Sequence, residues 1–119
     1  MNARRWLPPF VWAAIILILT SLPGAILPHV PLPDADRLTH GALYGILGWL
    51  SMRAAWHSGR LIRTLTLVLA CIALLGALDE WHQQFIAGRS MELLDWVADC
   101  FGATLGAVAA AGIRREEEA

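Results

Sequence analysis

The 119 residues contain no lysine, so all nine basic side chains are arginine. Charged residues of both signs make up only 16% of the chain, against about 25% in an ordinary soluble domain. The formal net charge of −1 says nothing about nucleic acid, but no basic stripe runs along any segment and no nucleic-acid partner is expected. Cysteine is scarce too. Cys71 and Cys100 both lie in apolar runs, with no C-x-x-C pair and no Cys/His zinc spacing. They read as two small apolar core side chains. Neither an H-E-x-x-H helix nor a G-x-S-x-G elbow is present, so the common metalloprotease and serine-hydrolase signatures are missing. Apolar surface is what the chain has in excess. It is 57% hydrophobic, with a mean hydropathy of +0.55, which marks a membrane protein of one domain.

A helix that crosses a bilayer needs about 20 largely apolar residues. Four runs meet or approach that length: residues 6–22, 38–56, 61–79 and 93–113. The third is expected to carry its helix on into "DEWHQ". Pro8 and Pro9 fall in the first turn of the first run, where a missing N–H does little harm. That run also has the outline of a signal peptide, with two arginines before it and Ala25 after it. Three further runs commit the chain to the bilayer and favour a span. The expected fold is all-α: a four-transmembrane-helix bundle forming a single domain over residues 1–119.

Arginine placement orients the bundle, because cytoplasmic loops carry an excess of Lys and Arg. Arg4, Arg5, Arg53, Arg60, Arg63, Arg114 and Arg115 fall on one side; Arg37 and Arg89 fall on the other. Both termini are therefore expected inside. Trp6 and Trp56 then suit the inner interface, and Trp81 and Trp96 the outer one. Asp34, Asp36, Asp79, Glu80, Glu92, Asp95 and Asp99 all fall on the outer side or in the outer turn of a span.

Several of these acids are spaced to share a helix face. Asp36, His40 and Tyr44 follow one another at intervals of four, as do Asp79 and Gln83, and Asp95 and Asp99. Asp99 lies within the fourth span, and an ionisable group at that depth must face the bundle interior or a polar cavity. The same chemistry allows plainer roles. Asp36, Glu92 and Asp95 sit where a helix N-terminus welcomes an acid. Arg89, in the turn "AGRS", has a fork of donors suited to the carboxyl of Asp79 or Glu80, or to an external phosphate. Gly41 with Gly45, and Gly102 with Gly106, are G-x-x-x-G pairs that let helices approach closely, within the chain or across a homo-oligomer. The loop "PGAILPHVPLPD" holds four prolines and is expected to lie stiffly over the outer mouth.

Three stretches resemble the VanZ-like family of small bacterial integral membrane proteins. "DRLTHGALYGILG" resembles its Asp-Lys-x-x-His opening, "DEWHQQFIAGRS" its Asp-Glu-x-x-Gln…Phe…Gly-Arg-Ser signature, and "DWVADCFGATLGA" its Asp-x-x-x-Asn…Gly…Gly close. Arg37 stands where the family usually has lysine, Asp99 where it has asparagine, and Ala87 where it often has proline. The resemblance implies a multi-pass protein of the bacterial cytoplasmic membrane acting at the envelope face. It also carries low-level glycopeptide resistance as a candidate role.

The residues and the resemblance together give an envelope factor with a polar site at the outer rim. Its ligand-binding candidates are Asp36, His40, Tyr44, Asp79, Glu80, Gln83, Arg89, Asp95 and Asp99, and its ligand is a lipid or a glycopeptide-like amphiphile. One alternative is an intramembrane hydrolase or transferase on a lipid-linked substrate, with Asp79 or Glu80 as base and His40 as its partner. Another is a proton-coupled carrier. No cofactor is firmly implied; a divalent cation is the one the acids and histidine allow.

Overall fold

The computed structural model describes residues 2–119 and is all-α, with no strand among those residues. A short 3-10 turn, Ala3–Trp6, leads into α1, Leu7–Thr20. Then come α2, Ala35–Ala55, α3, Leu61–Gln83, and α4, Leu93–Glu118. The third helix runs through the "DEWHQ" stretch as its pattern predicts. The fourth continues past the expected end at 113, because the arginine and glutamate tail "RREEE" has good helix propensity and an i,i+3 pair, Arg114 Nη1 to Glu117 Oε2 at 3.0 Å.

Among the described residues, three stretches are long and apolar enough to cross a membrane: Ala3–Thr20, Leu61–Gln83 and Leu93–Glu118. α2 has the length but not the apolarity, since Asp36, Arg37, His40 and Arg53 interrupt it. Its place in the structure explains the difference. α2 lies against all three other helices and buries His40, Tyr44, Leu47, Ser51 and Met52 among them. Its polar side chains thus face protein, where they find partners. The helices it touches present their apolar surface outward, as Phe10, Ile18, Ile62, Leu74, Phe101 and Leu105 do. Apolar outside and polar inside is the pattern a lipid solvent selects.

The closest seam joins α2 to α4. Gly41, Gly45 and Gly48 on one helix face Gly102, Ala103 and Gly106 on the other, backbone against backbone. Both G-x-x-x-G pairs are therefore used within the chain. Farther along, Ala107, Ala110 and Ala111 continue the narrow face of α4 beside Leu47 and Met52. Two indole N–H groups tie the remaining helices to this core. Trp12 of α1 donates to the Leu43 carbonyl at 2.8 Å, and Trp96 of α4 donates to the Ala73 carbonyl of α3 at 2.9 Å. Trp96 is thus an interhelical staple.

Candidate functional site

The polar residues gather at one end of the bundle. Asp79, Glu80 and Gln83 close α3; Asp95 and Asp99 open α4; His40 and Tyr44 lie in the first half of α2. All seven are buried, with Tyr44 and Asp99 fully inaccessible. Spacing explains the convergence. Residues four apart lie on one face of a helix, and each of these three faces is the one turned inward.

His40 sits at the centre. Its Nδ1 donates to Asp99 Oδ1 at 2.9 Å and lies 3.6 Å from Glu80 Oε1, while its Nε2 lies 3.9 Å from Asp95 Oδ2. Glu80 is held on both oxygens: Gln83 Nε2 donates to Oε1 at 3.3 Å, and the backbone N–H of Glu92 donates to Oε2 at 3.1 Å. A second group forms around Asp79. Thr20 Oγ1 donates to its Oδ1 at 2.6 Å and Tyr44 Oη donates to its Oδ2 at 3.1 Å. Gly76, one turn before Glu80, leaves the space that Asp99 occupies. A Cβ there would stand 3.2 Å from Asp99 Oδ2. Two oxygens in this buried region accept no hydrogen bond, Asp95 Oδ1 and Asp99 Oδ2.

Two of the nine candidates stand apart. Asp36 shares the heptad face of His40 on paper, but it falls in the first turn of α2, where the helix emerges and the side chain is exposed. The residue preceding the helix is Asp34, in the left-handed region at φ 57° and paired with Arg37; neither aspartate's side chain caps the helix. Arg89 pairs with neither Asp79 nor Glu80. Its Nε and Nη2 donate to the carbonyls of Leu22 and Leu19, 3.3 and 3.2 Å away, at the C-terminal end of α1. Carbonyls at a helix C-terminus carry partial negative charge, so a guanidinium is well placed there. The same turn is fastened twice more. Gly24 N–H donates to the Ala87 carbonyl at 2.9 Å, and Gly88, at φ 74°, packs against Gly24 at a distance that leaves no room for side chains. α4 starts at Leu93, and Ser90 Oγ donates to Glu92 Oε1.

Thr20 is the participant that sequence reading passes over. It is the last residue of α1, in a run whose other side chains are almost all aliphatic or aromatic. A lone buried hydroxyl at the acid-bearing end of a hydrophobic helix is the signal that marks it. The proline-rich loop between α1 and α2 lines one side of a cavity of about 510 Å³. Leu27, Leu43 and Thr20 contribute to its wall, Arg89 and Asp36 to its charged lining, and His40 and Asp95 connect it with the buried cluster.

A search of curated proteins and a search of solved structures each returned no match. The model of the VanZ/LLP1 family matches residues 5–114, a stretch that contains every residue of the cluster and nearly all of the four helices. The chain is a membrane protein and belongs to the VanZ/LLP1 family.

Proposed function

We propose that this protein is a multi-pass component of the bacterial cytoplasmic membrane that receives the polar head of an amphiphile, lipid or glycopeptide-like, at its envelope face. One observation carries the reading: the cavity of about 510 Å³ joins apolar walls, a guanidinium and the carboxyl–imidazole cluster at one end of an otherwise aliphatic bundle. Sites for small amphiphiles are concave and mostly apolar, with a few placed polar groups. Arg89 keeps donors beyond the two given to α1 and suits the phosphate or carboxylate of such a head. His40 and Asp95 suit its amine or hydroxyl groups.

In this reading all four helices cross the bilayer as one domain, with both termini in the cytoplasm. α2 is the span whose polar groups are sheltered by its neighbours. Asymmetry supports the orientation, since seven of nine arginines lie at the end opposite the cluster. In a chain lacking Cys71 and Cys100, cysteines introduced as Val30→Cys and Ser90→Cys should react with an impermeant maleimide on intact cells. Ser58→Cys and Glu117→Cys should react only after permeabilisation. The opposite labelling pattern rejects the orientation.

Binding is tested on the purified chain in detergent with fluorescent phosphatidylethanolamine, whose head offers both a phosphate and an amine. Leu27→Trp fills the cavity from the loop without touching the polar cluster, and should weaken binding at least tenfold, about 1.4 kcal/mol. Unchanged binding means the cavity is not the receptor. The lipid should be recovered intact; release of its head group would point to an intramembrane hydrolase or transferase instead.

A further inference from the structure

We infer that His40, Glu80 and Asp95 form a binding site for one divalent transition-metal ion, of the Zn²⁺ class, at the base of the cavity. Each side chain offers one ligand atom, and these three atoms lie within 4.8 Å of one another. The residues come from three different helices, so the bundle itself fixes their spacing. A zinc ion with ligands at about 2.1 Å requires donor atoms roughly 3.4 Å apart when tetrahedral. His40 Nε2 and Asp95 Oδ2 stand at 3.9 Å, too far to bond to each other and near the separation that an ion between them needs.

The partners of these groups strengthen the assignment. Metal-binding imidazoles usually give their other N–H to a carboxylate, which fixes the ring and its tautomer. His40 does this through Nδ1 to Asp99, so Nε2 keeps its lone pair and points toward Asp95. Glu80 is oriented by Gln83 and by the Glu92 backbone. Asp95 alone lacks such a support. Its Oδ1, in a side chain more than nine-tenths buried, has no hydrogen-bond partner. Burying an unpaired carboxyl oxygen is costly, and the other oxygen of the same carboxylate, Oδ2, is the one that faces His40 Nε2. Asp99 Oδ2 is likewise without a partner. Of the two arginines at this end, Arg89 is committed to α1 and Arg37 pairs with Asp34, so neither bonds to the cluster. A bound dication would offset the charge of the gathered carboxylates and give the Asp95 carboxylate an electrophile. One imidazole with two carboxylates favours Zn²⁺, with Mn²⁺ next. Ca²⁺ prefers six to eight oxygen ligands and fits this set poorly.

The test is titration of Zn²⁺ into the full-length, untagged chain after chelator treatment, read by calorimetry and by thermal unfolding. Wild type should bind about one equivalent and unfold at a higher temperature with Zn²⁺ than without. Glu80→Gln and Asp95→Asn should each bind at least tenfold more weakly. Asp99→Asn should bind about 10- to 100-fold more weakly, as expected for a residue that positions a ligand. If His40→Gln does not fold, Asp95→Asn still decides the matter, because it removes an oxygen that supports nothing else. It should fold at least as well as wild type and lose the Zn²⁺-dependent rise. Leu27→Trp should keep its Zn²⁺, so failure of lipid binding and failure of the metal site are separable. A wild-type chain that takes up no Zn²⁺, variants that bind like wild type, or equally tight Ca²⁺ binding would each overturn the assignment.

Discussion

Alanine at Gly102 or Gly106 should cost the folded protein about 3 kcal/mol, the upper part of the range for overpacking a close-packed core. The physical reason is that each new Cβ meets backbone. At Gly102 it would run into the Gly41 carbonyl oxygen, and at Gly106 into the Gly45 carbonyl oxygen, with Trp49 N also only 3.0 Å away. Backbone cannot swing aside as a side chain does, so α2 and α4 must separate along their length. Their separation would also draw His40 away from Asp99 and Asp95, because the glycines and the cluster share the same pair of helices. The reciprocal change should be mild. A Cβ at Gly41 would find its nearest neighbour, the Ala98 carbonyl, at 3.6 Å, which is ordinary contact. Gly112, with nothing within 4 Å, should gain up to about 1 kcal/mol from the better helix propensity of alanine. Thermal unfolding of the detergent-solubilised variants, followed by circular dichroism, gives the order directly. A Gly102→Ala protein as stable as Gly41→Ala would mean that the seam is looser than described.

The distinction between Gly41 and Gly102 shows what a sequence conveys and what it withholds. The G-x-x-x-G spacing is visible in both helices, and it correctly suggests close approach. Which glycine carries the contact depends on where Cβ points along the partner helix, and spacing alone does not contain that. The polar cluster divides in the same manner. Intervals of four bring His40 with Tyr44, and Asp95 with Asp99, onto single faces, and the structure buries all four. Asp36 obeys the interval yet stays exposed, since a periodic pattern does not say where a helix leaves its neighbours. Charge alone makes Arg89 a partner for a carboxylate or a phosphate. Backbone carbonyls at the end of α1 compete for a guanidinium, and they are invisible in a string of side chains. α2 posed the reverse difficulty. Its hydropathy is lowered by the residues that matter most to the interior, and only the other three helices around it reveal how they are accommodated.

Asp79→Ala should destabilise the protein by about 3 kcal/mol, the sum expected when a buried acceptor is removed and one donor is left with nothing to bond. Asp79 is 1% exposed and ties α1, α2 and α3 together through Thr20 and Tyr44. Its two donors differ in what they can fall back on. Thr20 Oγ1 also lies 3.0 Å from the Ile16 carbonyl of its own helix and can donate there when Asp79 is gone. Among the described residues, the buried Tyr44 hydroxyl bonds only to Asp79. Most of the loss should therefore be carried by Tyr44, and a double-mutant cycle isolates it. In the wild-type background Tyr44→Phe should cost about 1–2 kcal/mol, the usual worth of a buried hydrogen bond to a carboxyl group. In the Asp79→Ala background the same change should cost close to nothing, because the hydroxyl it removes is already unpaired. Thr20→Val should show weaker coupling. Additive losses for Asp79 and Tyr44 would refute the bond as an energetic unit. Asp79→Asn, which keeps one acceptor oxygen for Tyr44, should recover more than half of the stability. Thr20 lies on the cavity wall, so the Asp79→Ala protein should also bind the amphiphile less tightly while leaving His40, Glu80 and Asp95 intact as a metal site. Loss of lipid affinity with retention of Zn²⁺ would assign Asp79 to the walls of the receptor and the other three residues to its base.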